Sequence, residues 1–255
     1  MREPETRWRP EAAIVLGAGP GLGQAVVKRL AVAGVDVAPV ARSSDRLQDL
    51  AATAATGTDA AVEPVTADAT ASTAPEDVFE TVADRLGTPD LLVCNLPGPD
   101  DAGDGVGGTE VADLRTTWEL QVATTFRWAR ALADRVAATT EAAPVENTRG
   151  ALLATSSGVS RRASSGDHAR SSARFGLRGL SHSLADELGP RGLHVCHVVI
   201  DGWIDRPDLR DRYPEHEAWM APPAMAETLW RVASQPGTAW TTELDLRSNA
   251  DDRSW

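Results

Sequence analysis

Short apolar runs alternate with helical stretches along almost the whole of this 255-residue chain, and that alternation admits few folds. Runs at 12–16, 35–40, 61–66, 91–94, 151–155, 194–200 and 240–246 read as seven strands. Most are apolar without interruption, as in a parallel sheet covered on both faces. Between them, 22–33, 44–55, 74–86, 116–138, 167–188 and 223–233 read as helices. Thr73, Pro75 and Glu76 form a helix-start signal, while Gly87 and the Gly189–Pro190 pair are stops. The Gly/Asp-rich loop 98–108 and the polar connector 139–148 are too short to separate domains, and no internal repeat is present. The expectation is an α/β chain forming one doubly wound domain over 1–255, with an N-terminal extension at 1–10. In such sheets ligands bind outside the carboxyl ends of the strands, where strand order reverses.

Composition narrows the partners. A net charge of −12 and a sequence pI near 4.8 argue against nucleic acid and anionic membrane. No apolar run approaches the roughly 18 residues of a bilayer span, and the first residues lack the apolar stretch of a signal peptide. Cys94 and Cys196 sit in apolar runs and read as reduced core residues of a cytoplasmic protein. The acid excess suits either adaptation to concentrated salt or a GC-rich genome. The chain holds a single tyrosine, Tyr213, and a single lysine, Lys28; the other 24 of its 25 Lys and Arg residues are arginine. No mechanism can therefore place a tyrosine and a lysine together on one helix.

The first strand runs directly into Gly17, Gly19, Gly21, Leu22 and Gly23, at the start of the first helix. Glycines here let a pyrophosphate approach the backbone and the positive helix N-terminus; a tight turn without a ligand is the plainer alternative. With this spacing, GxxxGxG at 17, 21 and 23, the chain resembles the short-chain dehydrogenase/reductase family over nearly its whole length. Asp68 after the third strand, Asn95 after the fourth and Gly202 after the sixth match further family positions, and the tail 240–247 looks like that of a subgroup that often lacks the usual tyrosine. The resemblance implies a Rossmann-type, seven-stranded parallel sheet in the order 3-2-1-4-5-6-7 with helices on both faces. It also implies a substrate lid at 202–233, an adenine contact from Asp68, and a homodimer or homotetramer formed through helices 116–138 and 167–188. At the end of the second strand stand Arg42 and Ser43 with no acidic residue, which favours NADP over NAD.

Family enzymes use a serine, a tyrosine and a lysine, supported by an asparagine. Alignment on these motifs puts Ser157 at the serine, Arg170 at the tyrosine, Arg174 at the lysine and Gln121 at the asparagine. A guanidinium stays protonated to about pH 12 and cannot recycle a proton, so Arg170 is a fixed cation that binds an anion or steadies a developing oxyanion. Arg174, one turn along, takes the ribose-holding role of the lysine, and Asp167 or Asp201 is positioned to relieve the repulsion between the two. The proton then comes from water or from His168. Tyr213 reads as a packing residue of the lid; Trp203, Trp219 and Trp230 with Met220 and Met225 either line a pocket or pack. His182, His194 and His197 lack metal-ligand spacing, and no metal is expected. Two functions follow: an atypical NAD(P)-dependent oxidoreductase acting on a carbonyl or alcohol, or a catalytically inactive dinucleotide sensor.

Overall fold

A computed structural model of the chain describes residues 8–98, 105–137 and 148–250. Most of the N-terminal extension, the middle of the Gly/Asp-rich loop, position 138 and nearly all of the polar connector lie outside the described residues. The elements run β1 (Ala12–Leu16), α1 (Leu22–Val32), β2 (Asp36–Ala41), α2 (Ser44–Ala55), β3 (Val65–Thr66), α3 (Ala74–Leu86) and β4 (Leu91–Cys94). Next come α4 (Val111–Trp118), a π-turn at Glu119–Ala123, α5 (Thr124–Val136), β5 (Gly150–Ser157), α6 (His168–Leu188) and β6 (Leu193–Ile200). The chain continues through β7 (Trp203–Ile204), α7 (Pro207–Arg212), β8 (Trp219–Met220), α8 (Pro222–Ala233) and β9 (Glu243–Leu246).

Seven strands form one parallel sheet in the order β3-β2-β1-β4-β5-β6-β9, with β9 as the seventh strand of the expected order. The two-residue side-chain period divides each apolar strand between two cores. Ala13 and Val15 of β1, with Leu91 and Val93 of β4, pack under α1, α2 and α8. Ile14 and Leu16, with Leu92 and Cys94, pack under α3, α5 and α6. Continuous apolar runs are the result of covering both faces. Order reverses between β1 and β4, whose ends are in register at Leu16 and Cys94, so the crevice opens beside residues 17 and 95.

Three expected elements differ in extent. The strand expected at 61–66 pairs only at Val65–Thr66, with a single bridge from Val62, because Pro64 between them has no N–H to give the ladder. The strand expected at 240–246 begins at Glu243. Ahead of it, the Thr241 amide donates to Gln235 Oε1 at 2.7 Å and the Trp240 indole to Gln235 O, which ties this stretch to the end of α8. The long helix expected at 116–138 starts earlier, at Val111, where Glu110 and Asp113 form a reciprocal capping box. It is then interrupted by the π-turn, where the Thr124 hydroxyl takes the Glu119 carbonyl at 2.9 Å. The short β7–β8 ladder and α7 were not expected.

At the β6–β9 edge His197 is fully buried, its Nδ1 3.4 Å from Glu243 Oε2, and the same carboxylate meets Arg178 and His182. Burial drives the His197 imidazole down to about 4 against the pull of Glu243. Its folded pKa lies below the ordinary 6.5, so stability is full above that value and falls as pH drops toward 4, where the unfolded chain alone takes up the proton. The expected loss is about 2–3 kcal/mol between about pH 7.5 and about pH 4.5, measured by urea unfolding, and His197→Gln should shrink the difference.

Candidate active site

The crevice is built around one side chain. Asn95 follows β4, its backbone amide donating to Leu16 O at 3.1 Å. Its Nδ2 donates to Gly17 O at 3.0 Å, and its Oδ1 accepts from Thr155 Oγ1 at 3.1 Å. Gly17, at φ 69°, is pressed so closely here that a Cβ would fall 2.0 Å from Asn95 O. A Cβ on Gly23 would fall 2.1 Å from Gly17 O, so the third glycine lets α1 pack onto the turn. Gly21 also has positive φ, and the Arg206 stem lies 3.0 Å from where its Cβ would stand. Gly19 differs: nothing comes within 4 Å of an added Cβ. Leu22 opens α1 with its side chain buried, and no side chain caps the helix or places an acid in its first turn. The turn therefore presents bare backbone donors and a positive helix end toward open space.

Arg42 and Ser43 follow β2 and are exposed, with Ser43 in extended backbone at the cap position of α2. Asp68 builds the turn after β3. Hydrogen bonds from the Thr70 amide and hydroxyl, and more weakly the charge of Arg42, hold its carboxyl below the usual carboxylate range.

Ser157 ends β5, its Oγ buried and without a hydrogen bond. Gln121 sits within the π-turn, buried, and donates from Nε2 to Pro97 O at 2.8 Å, which fixes the backbone that leads to Gly98. Arg174 is buried on α6. Its Nη1 donates to Thr155 O at 3.3 Å, and burial, with repulsion from Arg170, lowers it to about 10. Arg170 donates from Nε to Oδ2 of the buried Asp167 at 2.5 Å. Both arginines flank Gly98, where a Cβ would lie 3.0 Å from Arg174 Nη2 and 3.9 Å from Arg170 Cδ. The expected sites on β1, β4, β5, α6 and the π-turn thus converge on one crevice, with Arg42, Ser43 and Asp68 at the ends of β2 and β3.

Of the two acids expected to relieve the arginine pair, Asp167 does so and Asp201 does not. Asp201 faces Arg162 at 2.6 Å and Arg247 at 3.5 Å, and its Oδ1 lies where a side chain on Gly158 would begin. His168 is exposed at the start of α6. Tyr213 packs edge-on against Trp203 with ring centroids 4.6 Å apart, and Trp203 packs on Trp219. Met220 and Met225 are buried in the core beneath α1 and α8, which makes them packing residues. Among the described residues no His, Cys, Asp and Glu cluster suits a metal, and no helix is long and apolar enough to cross a membrane. Thr155 and the stem of Arg206 were missed from sequence. Thr155 carried a signal, the first of three hydroxyls in a row closing an apolar strand; Arg206 carried none.

The sequence profile described as short chain dehydrogenase matches residues 11–217. The chain belongs to the short-chain dehydrogenase family. A short-chain dehydrogenase/reductase of Armillaria gallica is 28% identical over 192 residues, which span 72% of this chain and 67% of that protein. A short-chain dehydrogenase from Rhodopseudomonas palustris is 26% identical at a TM-score of 0.74, covering 93% of this chain and 98% of its own. An alcohol dehydrogenase of Thermococcus sibiricus, solved in complex with 5-hydroxy-NADP, is 20% identical at a TM-score of 0.79, covering 96% and 99% of the two chains. In this family member α6 carries Arg170 and Arg174, while Lys28 lies on α1 and Tyr213 follows α7.

Space around the glycines separates two substitutions. Gly23→Ala drives a methyl group into backbone and should cost about 1–3 kcal/mol in urea unfolding, whereas Gly19→Ala should fall within about 0.5 kcal/mol of the parent.

Proposed function

We propose that the protein binds NADP in the crevice between β1 and β4 and works as an oxidoreductase on a carbonyl or alcohol, without a tyrosine acid. The observation that carries this reading is the glycine turn. Gly17 and Gly23 are packed against neighbouring backbone, while nothing among the described residues comes within 4 Å of a Cβ added to Gly19, beside the uncapped N-terminus of α1. The phosphates would lie over Gly17, Gly19, Gly21, Leu22 and Gly23 at the N-terminus of α1. Asp68 would meet the adenine, Asn95 would hold the crevice at its width, and Arg174 would reach the ribose. Arg42 and Ser43 would take the 2′-phosphate, which favours NADP over NAD. The Thermococcus sibiricus relative in complex with 5-hydroxy-NADP supports the choice.

When bound, the nicotinamide supplies or accepts a hydride. The chain's own residues orient the substrate and manage charge. Ser157 Oγ, buried and unpartnered, donates to the substrate oxygen. Arg170 steadies charge developing there as a fixed cation, its orientation set by Asp167. Gln121 keeps the 96–97 carbonyls in place. Arg174, even lowered to about 10, stays charged at neutral pH, so neither arginine cycles a proton and water supplies it. The start of the segment 202–233 would cover the crevice, with Ile204 and Arg206 resting beside Gly21, while α8 at its end packs in the core.

Trp118, Phe126 and Phe175 are exposed on α4, α5 and α6, and Trp118 with Leu114 and Ser172 lines a hollow of about 880 Å³. A second copy of the chain would cover this face, as a homodimer or homotetramer. The cytoplasm suits the two buried thiols, with burial pushing Cys196 up to about 12 and Cys94 higher still.

Fluorescence titration should show NADPH binding. Arg42→Ala should weaken it by about tenfold while leaving NADH affinity unchanged. Gly19→Ala should weaken both cofactors without lowering stability. Consumption of NADPH across a panel of ketones and aldehydes, abolished by Ser157→Ala, supports catalysis; binding without turnover anywhere would make the protein a sensor. Light scattering should report a dimer or tetramer that Trp118→Glu dissociates.

A further inference from the structure

The paired arginines of α6 carry more positive charge than the described residues around them neutralise. Arg174 is buried; its Nε has no partner and its Nη2 stands beside Gly98, leaving the 3.3 Å contact to Thr155 O as its one hydrogen bond among the described residues. Arg170, one turn earlier, gives its Nε to Asp167. That contact occupies one edge of the guanidinium, and its two terminal nitrogens make no hydrogen bond among the described residues. Among the described residues, two cations face one carboxylate, which leaves one positive charge without a counter-charge at the crevice, where charges act more strongly than in bulk water. The bound nucleotide does not supply the missing anion. Its phosphates have their own seat at the glycine turn, and a ribose is uncharged.

We propose that this charge is met by the substrate: a small carboxylate whose carbonyl or hydroxyl stands beside the carboxyl group. The carboxylate is taken end-on by the two terminal nitrogens of Arg170, with the charge of Arg174 close behind them, since a planar fork of donors matches a carboxylate two bonds at a time. The neighbouring oxygen is left to Ser157 Oγ, the unpartnered hydroxyl at the end of β5, two residues past the carbonyl that Arg174 holds. Lysine could not replace Arg170 here without losing the two-point contact. This assignment deepens the oxidoreductase reading and rests on it for the reaction, though not for the anion contact itself.

Calorimetric titration and thermal shift at fixed ionic strength, with and without NADPH, compare matched probes: pyruvate against acetone, and benzoylformate against acetophenone. The expected result is that at least one acid binds and raises the melting temperature while its neutral partner does neither. Arg170→Gln should weaken the acid by about tenfold or more, and Arg170→Lys should recover only part of the loss. NADPH affinity, read by fluorescence on the same samples, should stay unchanged in Arg170→Gln. Because that variant strands Asp167, the Asp167→Asn, Arg170→Gln double variant is measured beside it as a neutral, folded pair. Equal binding of acid and neutral probe, absence of binding by both acids, or affinity indifferent to both variants overturns the proposal. Acid binding that survives in a protein unable to bind NADPH would sink the nucleotide reading and leave this one standing; the reverse result would sink this one alone.

Discussion

The Asn95 carboxamide bridges the gap where strand order reverses, donating to the Gly17 carbonyl on one side and accepting from the Thr155 hydroxyl on the other. Thr155 then passes its own carbonyl to Arg174. A single path of hydrogen bonds therefore joins the glycine turn after β1, the end of β4, the end of β5 and the charged start of α6. The path runs through buried and half-buried groups, where an unmade hydrogen bond is costly, so each member constrains the geometry of the next. The turn and the arginines belong to one piece of structure.

The two cores of the sheet hold that path in place. Because each strand divides its side chains between the faces, the strand ends cannot shift by one residue without turning every apolar group to the wrong side. The register of β5 against β6 runs from Gly150 opposite Leu193 to Ser157 opposite Ile200, and so fixes how far Ser157 projects beyond the sheet. Above it, Asp201, just past β6, occupies the space beside Gly158 and binds Arg162 and Arg247, so the turn after β5 is pinned by charge.

Nearly all of the strands could be read from the chain because parallel sheets write themselves as apolar runs, while their order came from the family resemblance carried by the glycine turn. The shortfalls have local causes. Pro64 broke a strand whose composition was otherwise suitable, and Gln235 claimed the backbone of Thr241 before the sheet did. The π-turn has no period of its own: it depends on one threonine hydroxyl taking a carbonyl from the helix, a choice invisible to periodicity. Yet that turn is what faces Gln121 toward Pro97, a placement that helical spacing alone does not give. The crevice residues were recoverable because glycine spacing and strand ends mark them. Which acid would meet the arginines was a matter of side-chain direction, and Asp167 and Asp201 could be told apart only in three dimensions.

The contact between Asp167 and Arg170 also bears on how such a site changes over generations. Asp167 is buried, and Arg170 is its one ion partner among the described residues. Placing a neutral residue at 170 by itself would strand that carboxylate in protein, a penalty of about 3–5 kcal/mol where total stability is usually only about 5–15 kcal/mol. Position 170 can turn neutral without that cost only after position 167 has given way. The arginine is thus held in place by its neighbour, and the two positions are open to change only in a fixed order.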